Sequence, residues 1–269
     1  EPQAERLQIR FRIDGVLHLQ TEADIKIAPA LALRLKLMSE LDISEKRLPQ
    51  DGRLMVSVRD EKIDVRMSTM PCQYGETVVL RLLNRKAAVQ SLDRLGMPAD
   101  IRQRFGEIIR RSAGMILVTG PTGSGKTTTL YAALAELNTA DRKIITVEDP
   151  VEYRLAGITQ VQVNEKIDLS FARVLRSTLR QDPDVILVGE IRDRETMSAA
   201  IAYAQSGHLC LATMHANNSY QALNRILSFY PVEVRPTMLG DLAAAMKAVV
   251  SQRLLRTVSG GRAPAVEVM

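Results

Sequence analysis

The chain of 269 residues contains no tryptophan, four phenylalanines, six tyrosines and two cysteines. So few aromatics leave no stacking platform of the kind that single-stranded nucleic acid needs. The net charge of +5 comes from lysines and arginines interleaved with acids, so it reads as a modest basic face and no nucleic-acid partner is expected. Cys72 and Cys210 lie far apart, with neither a CxxC pair nor a histidine cluster, which gives a disulfide or a zinc site no support. Both are read as buried free thiols. No apolar run approaches 18 residues, which excludes a helical membrane span. No charged-then-apolar leader opens the chain, and the reading is a cytosolic protein. The remainder, 46% hydrophobic and 25% charged, is the composition of a globular protein with room for about two domains.

Against that background one stretch stands out. Residues 115–131 read MILVTGPTGSGKTTTLY: a short apolar strand, then GPTGSGKT filling GxxxxGKT, then a helix-forming run. Strand, glycine loop and helix in that order are the context of a phosphate-binding loop. Gly120, Gly123 and Gly125 allow successive N–H groups to turn toward phosphate oxygens, and the helix start adds positive field. Lys126 supplies a point charge, and the Thr127 hydroxyl suits Mg²⁺. Gly120, Pro121, Thr122, Gly123, Ser124, Gly125, Lys126, Thr127 and Thr128 are the expected nucleotide-binding set.

Ahead of this stretch the pattern is antiparallel. Leu7, Ile9, Phe11 and Ile13 alternate with polar residues up to Asp14-Gly15, predicting a hairpin with a two-residue turn. The chain opens almost inside this hairpin, so its natural start is expected upstream. Residues 29–41 predict a helix behind a proline, followed by a polar loop over 42–53. Leu54, Val56 and Val58, then Ile63, Val65 and Met67 beyond an Asp60-Glu61-Lys62 turn, predict a second hairpin. Residues 75–83 add a strand. Residues 1–88 thus form a small α+β domain with an antiparallel sheet, 89–98 a linker, and 99–269 the nucleotide domain. There the strands 143–148, 184–190 and 209–214 are unbroken apolar runs alternating with helices near 170–181 and 194–205, and two more helices follow. Such runs mark a parallel sheet covered on both faces, with ligands at its carboxyl edge.

Phosphoryl transfer to water also needs a carboxylate to orient water and positive charge for the transition state. Glu190, ending the strand DVILVGE, is the first candidate for holding Mg²⁺ through water or polarising the attacking water, although Gly189 stands where an aspartate is usual. Glu148, Asp149 and Glu152 crowd one turn around Pro150, where mutual repulsion favours a facing cation. His215, just after a strand, and His208, just before it, are candidate phosphate sensors. Among the arginines, Arg176, Arg180, Arg192 and Arg194 lie in the nucleotide half and Arg66 and Arg81 on small-domain strands.

These motifs together resemble the secretion-ATPase superfamily of type II secretion and type IV pilus motors. GPTGSGKTTTLYAAL is similar to its Walker A, ITVEDPVEYR to its Asp box, LRSTLRQDPDVILVGEIRD to its Walker B and GHLCLATMHANN to its His box. The resemblance implies a RecA-like P-loop domain preceded by a PAS-like domain, homohexameric rings, and ATP between the two domains. It implies that Lys126 and Thr127 bind phosphate and Mg²⁺, that Glu190 is the Walker B glutamate, and that Arg66 and Arg81 reach the phosphates. Glu148, Asp149 and Glu152 fall on its Asp box, and His208 and His215 on its His box. KRLPQDGR and VSQRLL resemble the assembly and secretion branch, whereas the cysteine-free tail RTVSGGRAPAVEVM resembles the retraction type and implies no zinc. The expected protein is a Mg²⁺-dependent ATPase working on an inner-membrane platform protein of a pilus or secretion system, at the membrane only through partners. A retraction motor, and a nucleic-acid translocase or non-hydrolysing scaffold on the same core, are the alternatives.

Overall fold

The computed structural model describes residues 1–13, 16–59, 61–83, 90–164, 167–258 and 261–269. The chain divides into two units, Glu1–Ala88 and Val89–Met269.

In the first unit, β1 (Arg6–Ile13) and β2 (Val16–Asp24) pair antiparallel, and the Asp14-Gly15 turn lies outside the described residues. A register shift between Ile9 and Arg10 interrupts the single apolar face that the alternation predicts. Leu7 is buried, whereas Phe11 and Ile13 are exposed. Helix α1 (Ala28–Met38) starts with Pro29 in its first turn. It stops short of the expected Leu41 because Glu40 takes a left-handed conformation, φ +56°, while Leu41 N–H returns to Lys36 O. Strands β3 (Gln50–Val58), β4 (Glu61–Cys72) and β5 (Gly75–Leu83) form a separate antiparallel meander. The unit therefore carries two sheets among the described residues where one was expected. β3 begins inside the expected loop. Val58 pairs with Glu61, so the connection is Arg59 (φ +50°) and Asp60, the latter outside the described residues, instead of Asp60 to Lys62. Leu54, Val65 and Met67 make this unit's core. Cys72 is exposed, contrary to expectation, because it ends β4 beside the turn into Gly75.

In the second unit, a seven-stranded sheet runs in the order β12-β11-β6-β10-β9-β7-β8. Its strands are β6 (Gly114–Thr119), β7 (Ile144–Glu148), β8 (Thr159–Gln162), β9 (Val185–Val188), β10 (Leu209–Met214), β11 (Met246–Arg256) and β12 (Arg262–Val268). All pairings are parallel except that of β11 with β12. In β6, Met115 and Leu117 join the core on one face, and Ile116 and Val118 the core on the other. That explains the unbroken apolar runs. Helices α2 (Ala99–Ile109) and α3 (Lys126–Leu137) contribute to one core. Helices α4 (Phe171–Thr178), α5 (Arg194–Gln205), α6 (Ser219–Ser228) and α7 (Arg235–Ala245) contribute to the other. Leu92 and Met97, expected in a linker, are buried in the α2–α3 core, so that segment belongs to this unit. Cys210 in β10 is fully buried, which pushes its thiol up to about 12.

Candidate nucleotide site

Because β6, β7, β9 and β10 are parallel, the residues that follow them share one edge of the sheet. The glycine loop leaves β6, Asp149 follows β7, Glu190 follows β9 and His215 follows β10. Thr119 Oγ1 donates to Ala216 O (2.9 Å) and accepts from Ala216 N–H (3.1 Å), clamping the loop after β10 to the start of the glycine loop. The expected register of chemistry on one edge is thus produced by the sheet itself.

Within the loop, Gly120 (φ +152°), Gly123 (φ +78°) and Gly125 (φ +89°) all lie in the region that glycine favours, and Gly125 caps α3. The Lys126 amine, buried, donates to Gly120 O (2.8 Å) and Pro121 O (3.1 Å). Burial lowers its pKa, and the Glu190 carboxylate opposes that shift. His215 Nδ1 lies 3.5 Å from the same amine, and its Nε2 lies 3.5 Å from Glu190 Oε1. An ammonium can only donate, so the consistent tautomer carries its proton on Nε2, facing Glu190. Burial and then the Lys126 charge lower the His215 pKa, which keeps the imidazole neutral at pH 7. Arg192 closes the set, with one nitrogen 2.7 Å from Glu190 Oε2 and another 4.0 Å from Asp149 Oδ2.

Lys126, neutral His215, Glu190, Arg192 and Asp149 therefore form one continuous polar chain. Gly189 has a steric reason. A Cβ there would sit 2.9 Å from Val147 O and 3.1 Å from Glu148 Cα, so Glu190 is where this strand end first accommodates an acid.

Two expectations are corrected. Glu148 does not face a cation with Asp149 and Glu152. It is buried and accepts from Tyr131 Oη in a short hydrogen bond, from Thr146 Oγ1 (2.5 Å) and from Gln160 Nε2 (3.3 Å). The alternation of β7 turns it inward while Asp149 emerges exposed, and Glu152 donates its main-chain N–H to Tyr131 Oη (3.3 Å). Loss of one donor to a buried carboxylate costs about 1.5–3 kcal/mol. Tyr131→Phe is accordingly expected to lower the unfolding free energy of the second unit by about that amount, read as a lower urea midpoint, and an unchanged midpoint would show that Gln160 and Thr146 suffice. His208 is the other correction. It precedes β10 beside Gly114, whose N–H donates to His208 O (3.1 Å), at the opposite edge from the loop. Six residues of strand separate it from His215, roughly 20 Å. Its Nδ1 meets Ser206 Oγ (2.9 Å) and Tyr203 O (3.2 Å) instead.

Arg176 approaches Glu195 and Arg194 lies over the Tyr230 ring. Arg66 and Arg81 are direct cross-strand partners in the first unit, and Arg53 is opposite Arg66, so three arginines line one face of the β3-β4-β5 sheet. The sequence reading missed Gln252, at 3% exposure, whose amide bridges the loop and α3. The only signal was the VSQRLL segment.

The hard oxygen donors that Mg²⁺ prefers are present in the Thr127 hydroxyl and the Glu190 carboxylate. Ser124 Oγ in the loop is buried without a hydrogen-bond partner, so the cradle has a polar atom left to satisfy. The donor set fits the group.

A mainly parallel α/β sheet with a phosphate-type loop, an acid and an imidazole at one edge defines a P-loop protein of the secretion-ATPase fold. More particularly, residues 1–263 match the family described as Type II/IV secretion system protein, and the chain belongs to it. It is 52% identical over 252 residues to Type II secretion system protein E of Pectobacterium carotovorum subsp. carotovorum, covering 94% of this chain and 49% of that protein. Type II secretion system ATPase E of Vibrio cholerae is 48% identical over 254 residues, with the same coverage of 94% and 49%. The chain thus spans about half the length of the curated relatives it matches. Among solved structures, the pilus retraction motor PilT with bound ADP superposes with a TM-score of 0.74 at 31% identity, covering 99% of this chain and 79% of that one. The Legionella pneumophila ATPase DotB gives 0.79 at 25% identity, covering 99% and 76%.

Proposed function

We propose that the chain is the ATP-hydrolysing part of a type II secretion motor, a Mg²⁺-dependent ATPase. The observation that carries the reading is the loop itself: a buried Lys126 amine parked on Gly120 and Pro121 carbonyls, with Glu190 and His215 at the same sheet edge. Nucleotide phosphates would take the amine from those carbonyls, exchanging two neutral acceptors for charged ones. Bound Mg²⁺, held by Thr127 and through water by Glu190, would offset phosphate charge. Glu190 would orient the attacking water, and neutral His215 would donate from Nε2 to hold that carboxylate in place. Identity of 52% to a type II secretion protein E, against 31% to a retraction motor, favours secretion over retraction.

The finer reading follows the family resemblance. The first unit is PAS-like. The active form is a cytoplasmic homohexamer working on an inner-membrane platform protein, with Arg66 and Arg81 delivered to the phosphates as the small domain closes. The register that sets Arg53, Arg66 and Arg81 in one cross-strand row supports this, because it gathers positive charge on a single face of the sheet. Phosphate release from MgATP by the chain is the test, with Arg66→Ala and Arg81→Ala expected to lower kcat by roughly tenfold or more while the urea midpoint holds. Turnover unchanged in both variants would remove the cross-domain arginines from the reading.

A further inference from the structure

β11 pairs with β6 on the side away from β10, with Ser251 opposite Thr119, so the next residue, Gln252, arrives level with Gly120. Its main-chain oxygen occupies the space that a Cβ on Gly120 would need, and its Nε2 lies 3.0 Å from where a Cβ on Gly125 would stand. Gly120 is thus required by the β11 backbone as well as by the loop's own conformation, and Gly125 leaves the Gln252 amide its room.

The side chain reaches further. Gln252 Nε2 donates to Ser124 O (2.6 Å) and its Oε1 accepts from Thr129 Oγ1 (2.9 Å), both in buried surroundings. One amide therefore grips the loop at its tip and α3 in its first turn. Beyond this grip the tip stands over a depression of about 440 Å³, lined on the loop side by Pro121 to Ser124 and on the β11 side by Arg253 to Leu255.

The consequence follows from peptide geometry. In a trans peptide the C=O of one residue and the N–H of the next point in opposite directions. Holding Ser124 O toward β11 aims the Gly125 N–H away from β11. Thr129 N–H bonds Gly125 O (3.0 Å), so the bond to Thr129 fixes the helix turn that carries this N–H and its neighbours. The grip needs one donor and one acceptor at a fixed separation, which an amide supplies and a carboxylate or thioether does not.

We propose that Gln252 is a positioning residue for nucleotide binding, holding the Ser124–Gly125 peptide and the first turn of α3 so that their N–H groups address phosphate before nucleotide arrives. This rests on the nucleotide reading of the loop. The cost of ordering the loop is then met in folding, so losing the grip weakens binding more than it slows the chemical step.

The test is ADP binding by calorimetry and steady-state ATP turnover with the full chain. Gln252→Met, which keeps length but removes both bonds, is expected to weaken ADP binding and raise KM about tenfold or more, with kcat at saturating ATP changed by less than about threefold. Gln252→Glu, which cannot donate to Ser124 O, is expected to bind no better than Gln252→Met. Thr129→Ser, keeping the hydroxyl, is expected to bind ADP more tightly than Thr129→Val. If Gln252→Met fails to fold, the two Thr129 variants decide the matter, equal affinity counting against the proposal. A folded Gln252→Met that binds ADP within twofold of wild type, or one that loses kcat without affinity, would overturn it while leaving the nucleotide reading intact. Failure of the wild-type chain to bind ADP, with or without Mg²⁺, would overturn both.

Discussion

Replacing Lys126 with alanine is expected to reduce ATP and ADP affinity on the order of 10²-fold or more, because the amine makes charge-assisted hydrogen bonds to phosphate worth about 1.5–3 kcal/mol each. The folded state should scarcely notice. Lys126 is largely buried, and its pKa is lowered by the desolvation that burial imposes. Its bonds to Gly120 O and Pro121 O are to neutral carbonyls and recover only part of that cost. Removing the amine therefore exchanges an unfavourable desolvation for two weakened acceptors, and the unfolding free energy from urea titration should change by no more than about 1 kcal/mol. A combination of lost binding and retained stability separates a phosphate ligand from a structural lysine. Arginine at the same position should not restore binding, since its planar fork is longer and cannot replace a compact ammonium between Gly120 O and His215. Titration of each variant with a fluorescent ADP analogue reads the affinity. Wild-type affinity in Lys126→Ala would end the phosphate reading of the loop.

The parts of the molecule that were legible in the sequence are those whose signal is local. The loop was readable because its glycines, lysine and threonine are contiguous, and the strands β6, β7, β9 and β10 because burial on both faces leaves unbroken apolar runs. Glu190 and His215 each follow a strand in the sequence, and the parallel sheet brings them to one edge, where His215 lies 3.5 Å from the Lys126 amine and 3.5 Å from Glu190 Oε1. What escaped depends on contacts between distant residues. Gln252 lies 128 residues from Ser124, and nothing within VSQRLL shows that its amide turns into the loop. Glu148 and Asp149 are neighbours with opposite fates, one bonded in the core and one exposed, because a strand alternates and only the partners Tyr131 and Gln160 reveal which side is inward. His208 was grouped with His215 through its motif, although the strand between them carries the two imidazoles to opposite edges. Strand β11 was missed because it runs directly on from α7, with no glycine or proline from Leu242 to Val250 to mark the change.

Glu190→Gln should separate binding from turnover in the other direction. The amide has the carboxylate's shape, and its oxygen can still accept from Arg192 or from His215 Nε2, so the strand end keeps its position. It cannot orient and polarise water as an anion does, and a positioned general base contributes about 10²–10⁴-fold. Phosphate release under saturating MgATP is therefore expected to fall by roughly that factor while ADP affinity at pH 7 stays within about threefold. The Glu190 charge is also what raises the Lys126 pKa against burial, so its removal lowers that pKa further. Weakening of binding as the pH is raised should therefore set in at a lower pH than in wild type. An ADP-binding series from pH 7 to pH 10 reads that displacement directly. Equal loss of affinity in Glu190→Gln and Lys126→Ala at pH 7 would mean that Glu190 holds the loop and does not serve the water, and the catalytic carboxylate would then have to be sought at Asp149, on the other side of Arg192.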